Sequence, residues 1–440
     1  MPIIDLSDFG DGKQYPPMRE QGRVTDMGKW HRFSNRRFAG LWEGQSTARI
    51  KPNLFRFLME FWQDAIWADS PIIEYDGGGR QQEFIDAVTP SLFEAGRLVV
   101  GDMIRYGVGV FTNRKPLEIQ SIDPRFWFPV RMPYDESVGD VDVIAYPYSV
   151  DQELGGSFDD HIQIEIHSPD MVTTVRRKLE GITIQGVVDR TEQTGSVFQV
   201  VPVRNGNGFY GTSDFLDSEE YVAEIQRRES AIGLALDKHV NPHLAVPEGS
   251  LVVNTDGSVN INSDGMVIPV PEGGNNPSYL NWEPQYDAQH RSIERAEDRI
   301  LQASKIASVL FHRIGDELGS LPTGAALRRL AIVSVNRIRQ IRTCLDTAMT
   351  DTLIGAADLS AKRGNEVISL ARESISYKWP AELSSGITDE ADAIRALVDS
   401  GALTRETALQ LVERVSREEA EALAAAFKAM GSTQRVEQTP

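Results

Sequence analysis

The sequence is short of cysteine. Its 440 residues include only one, Cys344, so no disulfide can form within the chain, which fits a reducing compartment. Cys344 lies among apolar residues of a predicted helix, and nothing beside it in the sequence would lower its pKa. We therefore interpret it as a small core side chain and not as a nucleophile.

Long apolar runs are lacking as well. No stretch of about 18 apolar residues occurs, so we expect no membrane-spanning helix and no membrane partner. The N-terminal stretch "MPIIDLSDFGDGKQYPP" is acidic and has no basic start followed by an apolar core. It does not predict a secretion signal.

Positive charge is in deficit. The chain has 45 Lys and Arg against 64 Asp and Glu, a formal net charge of -19. This balance argues against ordinary tight DNA binding, which uses clustered Lys and Arg to displace counterions from the phosphates. It leaves room for a surface that stays close to DNA without adhering to it.

Motifs for catalysis are also missing from the sequence. The glycine-rich stretch 76–80, "DGGGR", lacks the Lys-Ser/Thr of a phosphate loop and predicts a turn. His239 and His243 are four residues apart, but Pro242 between them ends a helix, so no zinc pair follows. We expect no enzyme activity, no metal and no cofactor.

One enzymatic alternative stays open. A hydrolase or nuclease could use dispersed carboxylates, although none of them lies in a recognisable metal pattern. The candidates are Asp76, Asp123, Asp159 and Asp160.

What is present is a mixture of helical and strand patterns, which predicts an α+β fold. Residues 52–69 carry apolar side chains at three- and four-residue spacing and predict a helix, with a second helix at roughly 81–97. Residues 99–113 alternate and are interrupted by glycines, which predicts a hairpin. Short strands are expected at 118–130, 141–150, 161–168, 171–180 and 196–205.

The middle of the chain predicts two long helices that flank a small insert. The first covers 212–240, with Thr212 or Ser213 as its N-cap, and the second covers 287–310. The insert between them is rich in proline and glycine and predicts strands and turns. The helices would form an antiparallel pair with a knob at its tip, and both carry acidic residues.

After a glycine-marked loop the chain enters its longest clean helix, from about Thr323 to Ile354. At about 100° per residue six apolar side chains share one face: Leu327, Leu330, Ala331, Ile338, Ile341 and Leu345. Arg328, Arg339 and Arg342 lie together on a flank. They form either a solvated basic face or, as an acidic chain favours, pairs with acids of another element or another subunit.

The basic aromatic segment 29–38, "KWHRFSNRRF", also has two interpretations. We favour a solvated arm whose aromatic side chains pack on a neighbour, since basic residues without a fold motif are weak evidence for a contact with nucleic acid or an acidic partner surface. Near the C-terminus, 374–386 predicts a strand, with short helices after it.

This order of elements resembles the portal proteins of tailed bacteriophages. The most specific stretch is 323–327, "TGAAL", which is similar to the Ser/Thr-Gly-x-Ala-Leu-like sequence that begins the family's long helix after its tunnel loop. The phrase "DPRFWFPV" at 123–130 is similar to one in the family's wing, and 374–415 is similar to its ending. The resemblance covers roughly residues 50–420.

The resemblance implies a division of the chain into a wing, a helical stem, a clip and a crown. The implied parts are an N-terminal arm (1–45), the wing (46–211), stem helix 1 (212–240), the clip (241–286), stem helix 2 (287–309), the tunnel loop (310–323), the long helix with its return to the wing (324–386), the crown (387–430) and a disordered tail (431–440).

The resemblance also implies a structural role. A ring of about twelve subunits would occupy one capsid vertex, and double-stranded DNA would pass through it during packaging and ejection, regardless of its sequence. The ring would form in the host cytoplasm, reside in the virion, contact the major capsid and scaffold proteins, and dock the terminase and the head-tail adaptor. The alternative is an oligomeric capsid-associated adaptor or scaffold that does not conduct DNA.

In this role an acidic channel would repel the phosphates and let DNA slide. The resemblance implies as channel-lining residues Asp316, Glu317, Glu294, Glu297 and Arg313. Gly315, Gly319, Pro322, Thr323 and Gly324 would form the hinge of the tunnel loop and the cap of the long helix. Arg328, Arg339 and Arg342 would be structural or would pair between subunits.

Overall fold

Helices and strands both make up the computed structural model of the chain, and the predicted α+β class is confirmed. The structure describes residues 5–35, 52–115, 117–130, 141–148, 161–168, 171–194, 200–206, 210–240, 244–247, 267–270, 278–279, 286–307, 331–362 and 367–380. The predicted tunnel loop, crown and C-terminal tail lie outside these residues.

The described α-helices lie in two parts of the chain: the middle, from residue 219 to residue 303, and the remainder, which we call the body. In chain order they are α1 (Gln21–Ser34), α2 (Leu54–Trp67), α3 (Arg80–Tyr106), α4 (Glu219–Val240), α5 (Tyr286–Ala303) and α6 (Ile332–Lys362).

The strands of the described ranges form four sheets. The strands are β1 (Ile72–Tyr75), β2 (Val108–Lys115), β3 (Glu118–Ile122), β4 (Trp127–Val130), β5 (Val141–Tyr148), β6 (His161–His167), β7 (Met171–Glu180), β8 (Thr183–Thr194), β9 (Val200–Arg204), β10 (Leu244–Pro247), β11 (Val267–Val270), β12 (Ser278–Tyr279) and β13 (Ile375–Lys378). Their orders are β1-β13, β3-β2-β9, β4-β5-β6-β7-β8 and β11-β10-β12.

The predicted hairpin at 99–113 is wrong. Helix α3 runs on to Tyr106, where Gly107 at φ +87° closes it with an N–H bond to the carbonyl of Met103, and only β2 is a strand. Gly101, one of the glycines that suggested a turn, serves close helix packing instead, as does Gly96 in the predicted helix. A Cβ on Gly101 would lie 2.5 Å from the Gln63 side chain, and one on Gly96 would lie 2.4 Å from the Trp67 ring. Helices α2 and α3 therefore approach too closely for a larger side chain at these positions.

The five-stranded sheet confirms most of the predicted strands. It is an antiparallel meander, β4 to β8 in chain order, and β9 leaves it to pair with β2. Strand β8 was missed by the sequence patterns because its sequence is polar and its two valines, Val187 and Val188, are exposed. The turn before it places Gly181 at φ +62°, a conformation that suits glycine.

The N-terminal segment packs on the body. Trp30 and Phe33 of α1 are buried in the main apolar core, where Phe33 stacks on Phe55 at 5.6 Å. Tyr15 donates a hydrogen bond to the carbonyl of Ala145 at 2.9 Å. Lys29 forms an ion pair with Glu219 at the start of α4. The aromatic side chains in the described part of the basic aromatic segment pack as expected, but on the core of the same chain and as part of a helix, so this part is not a solvated arm.

A polar contact also holds α1 against the end of α3. His31 Nδ1 lies 2.9 Å from the Tyr106 hydroxyl, and Arg105 donates to Ser34 Oγ at 3.0 Å and to Asp102 Oδ1 at 2.6 Å. The pKa of His31 is lowered to about 4, mainly by burial and further by the positive charges of Arg125 and Arg105. The His31 ring is therefore neutral in the folded chain at neutral pH.

Candidate functional site

The two long middle helices form an antiparallel pair. Their inward side chains join one apolar core, among them Val222 and Ile225 of α4 and Ile293 and Ile300 of α5. Arg228 donates a hydrogen bond to Gln289 Oε1 at 2.7 Å and fixes which residues of the two helices lie at the same height. We call α4 and α5 together the helix pair.

Helix α4 begins later than predicted, at Glu219. Thr212 and Ser213, the predicted N-caps, precede a 3-10 turn at Leu216–Ser218 and do not cap α4. Ser213 instead donates to the carbonyl of Arg105 at 2.6 Å and accepts from the Phe215 N–H at 3.1 Å. The residues that suggested a cap are used to attach the chain to the end of α3.

Helix α5 ends earlier than predicted, at Ala303. Lys305 has φ +58°, and the N–H of Ile306 bonds to the carbonyl of Leu301 at 2.8 Å. This is the bonding pattern of a left-handed helix stop, which turns the chain out of the helix.

A buried polar junction holds the entrance to the helix pair. Arg337 of α6 donates to Asn205 Oδ1 at 2.6 Å and to Asp214 Oδ1 at 3.1 Å. Asn205 donates in turn to Asp214 Oδ1 at 2.9 Å and to the Thr212 carbonyl at 2.7 Å. The end of β9, the segment before α4 and helix α6 therefore meet in one hydrogen-bonded cluster.

The electrostatics of this junction depend on its burial. The side chains of Arg337 and Asp214 are only 4% and 11% exposed. Burial raises the pKa of Asp214 above its ordinary value, while the Arg337 guanidinium and the Asn205 amide act in the opposite direction. Removing one partner of such a pair leaves a buried charge without compensation, so the two groups depend on each other.

A second contact on α6 holds the exit from the helix pair. Ser334 accepts a hydrogen bond from the Ala307 N–H at 2.8 Å and donates to the Lys305 carbonyl at 3.2 Å. Ser334 and Arg337 are three residues apart and therefore lie on the same face of α6. One helical turn thus fixes both ends of the chain segment that contains the helix pair.

The predicted channel residues on α5 lie on its flank. Glu294 and Glu297 are half-buried, whereas the exposed face of α5 carries Arg291, Arg295 and Arg299. The other predicted channel and hinge residues lie outside the described residues: Arg313, Gly315, Asp316, Glu317, Gly319, Pro322, Thr323 and Gly324.

The arginines of α6 have different surroundings. Arg339 is exposed, and Arg328 lies outside the described residues. Arg342 is buried, donates to the Pro380 carbonyl at 2.8 Å and lies 4.7 Å from the centre of the Trp379 ring. It therefore ties α6 to the segment that follows β13, within the same chain.

Arg337 is the residue that the sequence patterns missed. The sequence patterns assign it no role, although it is four residues before Ile341 on the apolar face. That spacing was the available signal, because an arginine on a core-facing stripe needs a buried acceptor. The apolar face itself is confirmed where it is described: Ala331, Ile338, Ile341 and Leu345 are all buried.

Two further sequence predictions concern possible catalytic groups. Cys344 packs against the core, and burial raises the pKa of its thiol, which agrees with its interpretation as a packing residue. Asp123 caps a short helical turn and pairs with Arg125 at 2.6 Å. Asp159 and Asp160 lie outside the described residues. Across the part of the chain that is described, no group of three or more His, Cys, Asp or Glu side chains could hold a metal ion.

The described helices contain none that is long and apolar enough to cross a membrane.

No protein-family model and no curated protein matches this chain. A solved structure of the neck of a native GTA particle, computed with C12 symmetry, contains a chain that is similar to this one. The match has a TM-score of 0.44 and 14% identity, and it covers 92% of this chain and 96% of that chain.

Proposed function

We propose that this chain is a portal subunit, a structural protein that assembles into a ring of about twelve copies at one vertex of a phage-like capsid. The observation that carries the proposal is the helix pair, with strands β10 to β12 between its two helices in the chain and both of its ends held by α6. A rigid helical hairpin that extends from a larger body suits a stem around a channel, with the small sheet available for docking. The residues and motifs of the sequence resemblance support the same role.

In this function the ring performs no chemistry. Double-stranded DNA passes through the ring during packaging and ejection, and a separate terminase supplies the energy. The small sheet docks first the terminase and later the head-tail adaptor, while the body contacts the major capsid and scaffold proteins. Assembly takes place in the host cytoplasm, and the finished ring belongs to the virion.

We propose that the loop acids Asp316 and Glu317 make the channel electronegative. A ring repeats each acid about twelve times, so even weakly placed carboxylates create a field that repels the phosphates. Glu294 and Glu297 add to it from the flank of α5, and Arg313 is the one cation of the set. Changing Asp316 and Glu317 to lysine should slow DNA packaging, whereas asparagine and glutamine at the same positions should slow it less. Equal packaging rates in all three proteins would reject an electronegative loop.

The function is tested first by the mass and shape of the purified protein. Native mass spectrometry should give a closed ring of about twelve subunits, and negative-stain images should show a central hole. The same ring should bind the terminase and admit a DNA duplex. A small oligomer that also fails to assemble around scaffold protein would reject the portal function. A closed ring that binds capsid proteins but excludes DNA would favour the adaptor alternative.

A further inference from the structure

The outward face of α5 carries a stripe of four charged side chains. Asp287, Arg291, Arg295 and Arg299 follow one another at intervals of four residues, and all four are exposed. Residues at this spacing lie above one another along a helix. From the outer end of the helix pair towards α6, the signs of the stripe are one negative charge followed by three positive ones. We call these four residues the α5 stripe.

The outward face of α4 carries a second stripe. It consists of Asp217, in the turn before the helix, and Glu220, Glu224 and Arg227, at intervals of three or four residues. Asp217, Glu220 and Arg227 are exposed, and Glu224 is half-buried beside Arg227 at 2.8 Å. Read in the same direction, its signs are one positive charge followed by three negative ones. We call these four residues the α4 stripe.

The two stripes lie at the same heights. The bond between Arg228 and Gln289 sets the register of the helix pair, and a helix rises about 1.5 Å per residue. Counting from that bond, Arg299 is level with Asp217 to within about 2 Å, and Arg295 is level with Glu220 to within about 3 Å. Arg291 and Glu224 agree to within about 3 Å, and Asp287 and Arg227 to within about 5 Å.

The stripes face away from each other within one chain. Both helices bury their inward side chains in a shared core, so the α4 stripe and the α5 stripe lie on outward surfaces. Glu224 already pairs with Arg227 and Arg228 within α4, so a partner stripe would meet these charges in addition to the pairs inside the chain. In the described part of the chain, the surface with matching signs at matching heights is the other stripe.

We propose that the α5 stripe of one copy of this chain docks side by side on the α4 stripe of the next copy. The contact is head-to-tail, and repeating it around an axis along the helices generates a ring. Four opposite-charge pairs meet when neighbouring copies stand at equal heights. Asp298, exposed beside the α5 stripe, is the one acid on this face that the pairing leaves unused.

The sign pattern also opposes a wrong offset. By the same count, a slide of the α5 stripe towards α6 by about two helical turns brings Asp287 to within about 2 Å of the height of Glu224, where like charges meet, and carries Arg299 past Asp217. Near equal heights all four pairs are attractive, so the pattern disfavours a steeply rising filament. A stripe of uniform charge would lack the repulsive contact that opposes this slide.

This inference deepens the proposed function, and the experiment separates the two. The variants are Glu220→Arg, Arg295→Glu and the double exchange, with Lys178→Glu on β7 as a control for charge reversal on an exposed strand. Each is compared by circular dichroism and thermal melting, so that a folding defect is seen before assembly is measured. The subunit concentration at half-assembly is then followed by analytical ultracentrifugation at low and high salt.

The single reversals should raise the half-assembly concentration at least about tenfold, because an attractive pair becomes repulsive at every interface. The double exchange should return it to within about threefold of the original protein, and high salt should weaken the original assembly. Single reversals that assemble like the original protein would overturn the interface and leave the proposed function standing. A double exchange no better than the worse single variant would also overturn it.

Cross-linking tests the contact without requiring a ring. In a Cys344→Ser background, a protein with Glu220→Cys is mixed with one carrying Arg295→Cys and is mildly oxidised. A disulfide between the two chains supports the docking, and its absence overturns it. If the original protein forms no ring, either alone or around scaffold protein, but the mixed dimer appears, the interface is supported and the proposed function fails.

Discussion

Replacing Arg337 with methionine removes the guanidinium from the buried junction while keeping most of the apolar side chain. Asp214 then loses the donor at 3.1 Å, and Asn205 Oδ1 loses the donor at 2.6 Å. What remains to Asp214 within the cluster is the Asn205 amide at 2.9 Å. The carboxylate stays buried but no longer has an opposite charge beside it.

The expected loss of stability is about 3 kcal/mol. Removing one partner of a buried ion pair commonly costs about 3–5 kcal/mol, and the surviving amide bond places this case at the lower end. The double variant Arg337→Met, Asp214→Asn removes the uncompensated charge and should recover about 2 kcal/mol. The control is Arg190→Met, whose ion pair with Glu192 is exposed on both sides and should change stability by about 0.5 kcal/mol or less.

The assay is urea unfolding followed by far-ultraviolet circular dichroism, with hydrogen exchange at residues 212–218 as a local probe. The penalty should also depend on pH. Burial already raises the pKa of Asp214, and loss of Arg337 raises it further. A group with a raised pKa in the folded state stabilises it at low pH and loses that contribution as the pH rises. Arg337→Met should therefore be more destabilised at pH 8 than at pH 5.

Three results would refute this reasoning. A loss of under about 1 kcal/mol would mean that the junction is not tightly coupled. A double variant no more stable than Arg337→Met would mean that the buried charge is not the cause. Unchanged hydrogen exchange before α4 would mean that Arg337 does not hold the entrance to the helix pair.

The other predictions concern contacts elsewhere in the body. The folded chain loses stability as the pH falls from 6.5 to 4.5, because the unfolded imidazole of His31 binds a proton in this range and the folded one, with its pKa lowered to about 4, does not. His31→Gln should therefore reduce this loss of stability in urea unfolding, and an unchanged pH dependence would contradict this. Gly96→Ala should cost about 1–3 kcal/mol because its Cβ would meet the Trp67 ring, whereas Gly186→Ala, with nothing within 4 Å, should be neutral in the same thermal melts. Arg342→Met should cost about 1–2 kcal/mol through the lost bond to the Pro380 carbonyl and the lost contact with Trp379, and the exposed Arg339→Met should cost less; equal losses would disprove the structural role of Arg342.

The sequence predicted those elements whose apolar spacing is regular. Helix α2 and strands β5, β6 and β7 were found because their core-facing residues repeat at the period of a helix or a strand. The apolar face of α6 was found for the same reason. In these segments local periodicity and tertiary burial agree, so a single sequence is enough.

The misses arose where a local signal had a tertiary cause. Gly101 suggested a turn, but it accommodates the Gln63 side chain of α2 within a continuous helix. Ser213 suggested an N-cap, but it bonds to the carbonyl of Arg105, which is 108 residues away in the chain. Sequence spacing cannot show contacts of this kind.

The candidate site was predicted less completely than the fold. The helix pair was found, because two long amphipathic patterns on either side of a turn-rich insert are a strong signal. The outward faces were not distinguished, since helical phase gives relative positions and not the direction of the core. The sequence therefore did not show that Glu294 and Glu297 lie on the flank of α5, or that the arginines of the α5 stripe occupy its exposed face.

The attachment of both ends of the helix pair to one turn of α6 has a consequence for how this chain tolerates change. Because Asp214 and Lys305 are brought to neighbouring points on α6, the segment between them begins and ends at almost the same place. A connection between such close ends needs little length, and its closure entropy depends only weakly on how many residues it contains. The region from 219 to 303 is therefore an insertion in the physical sense: evolution or an engineer can lengthen, shorten or exchange its outer part, while its base, with Val222 and Ile300 in the apolar core, stays packed on the body.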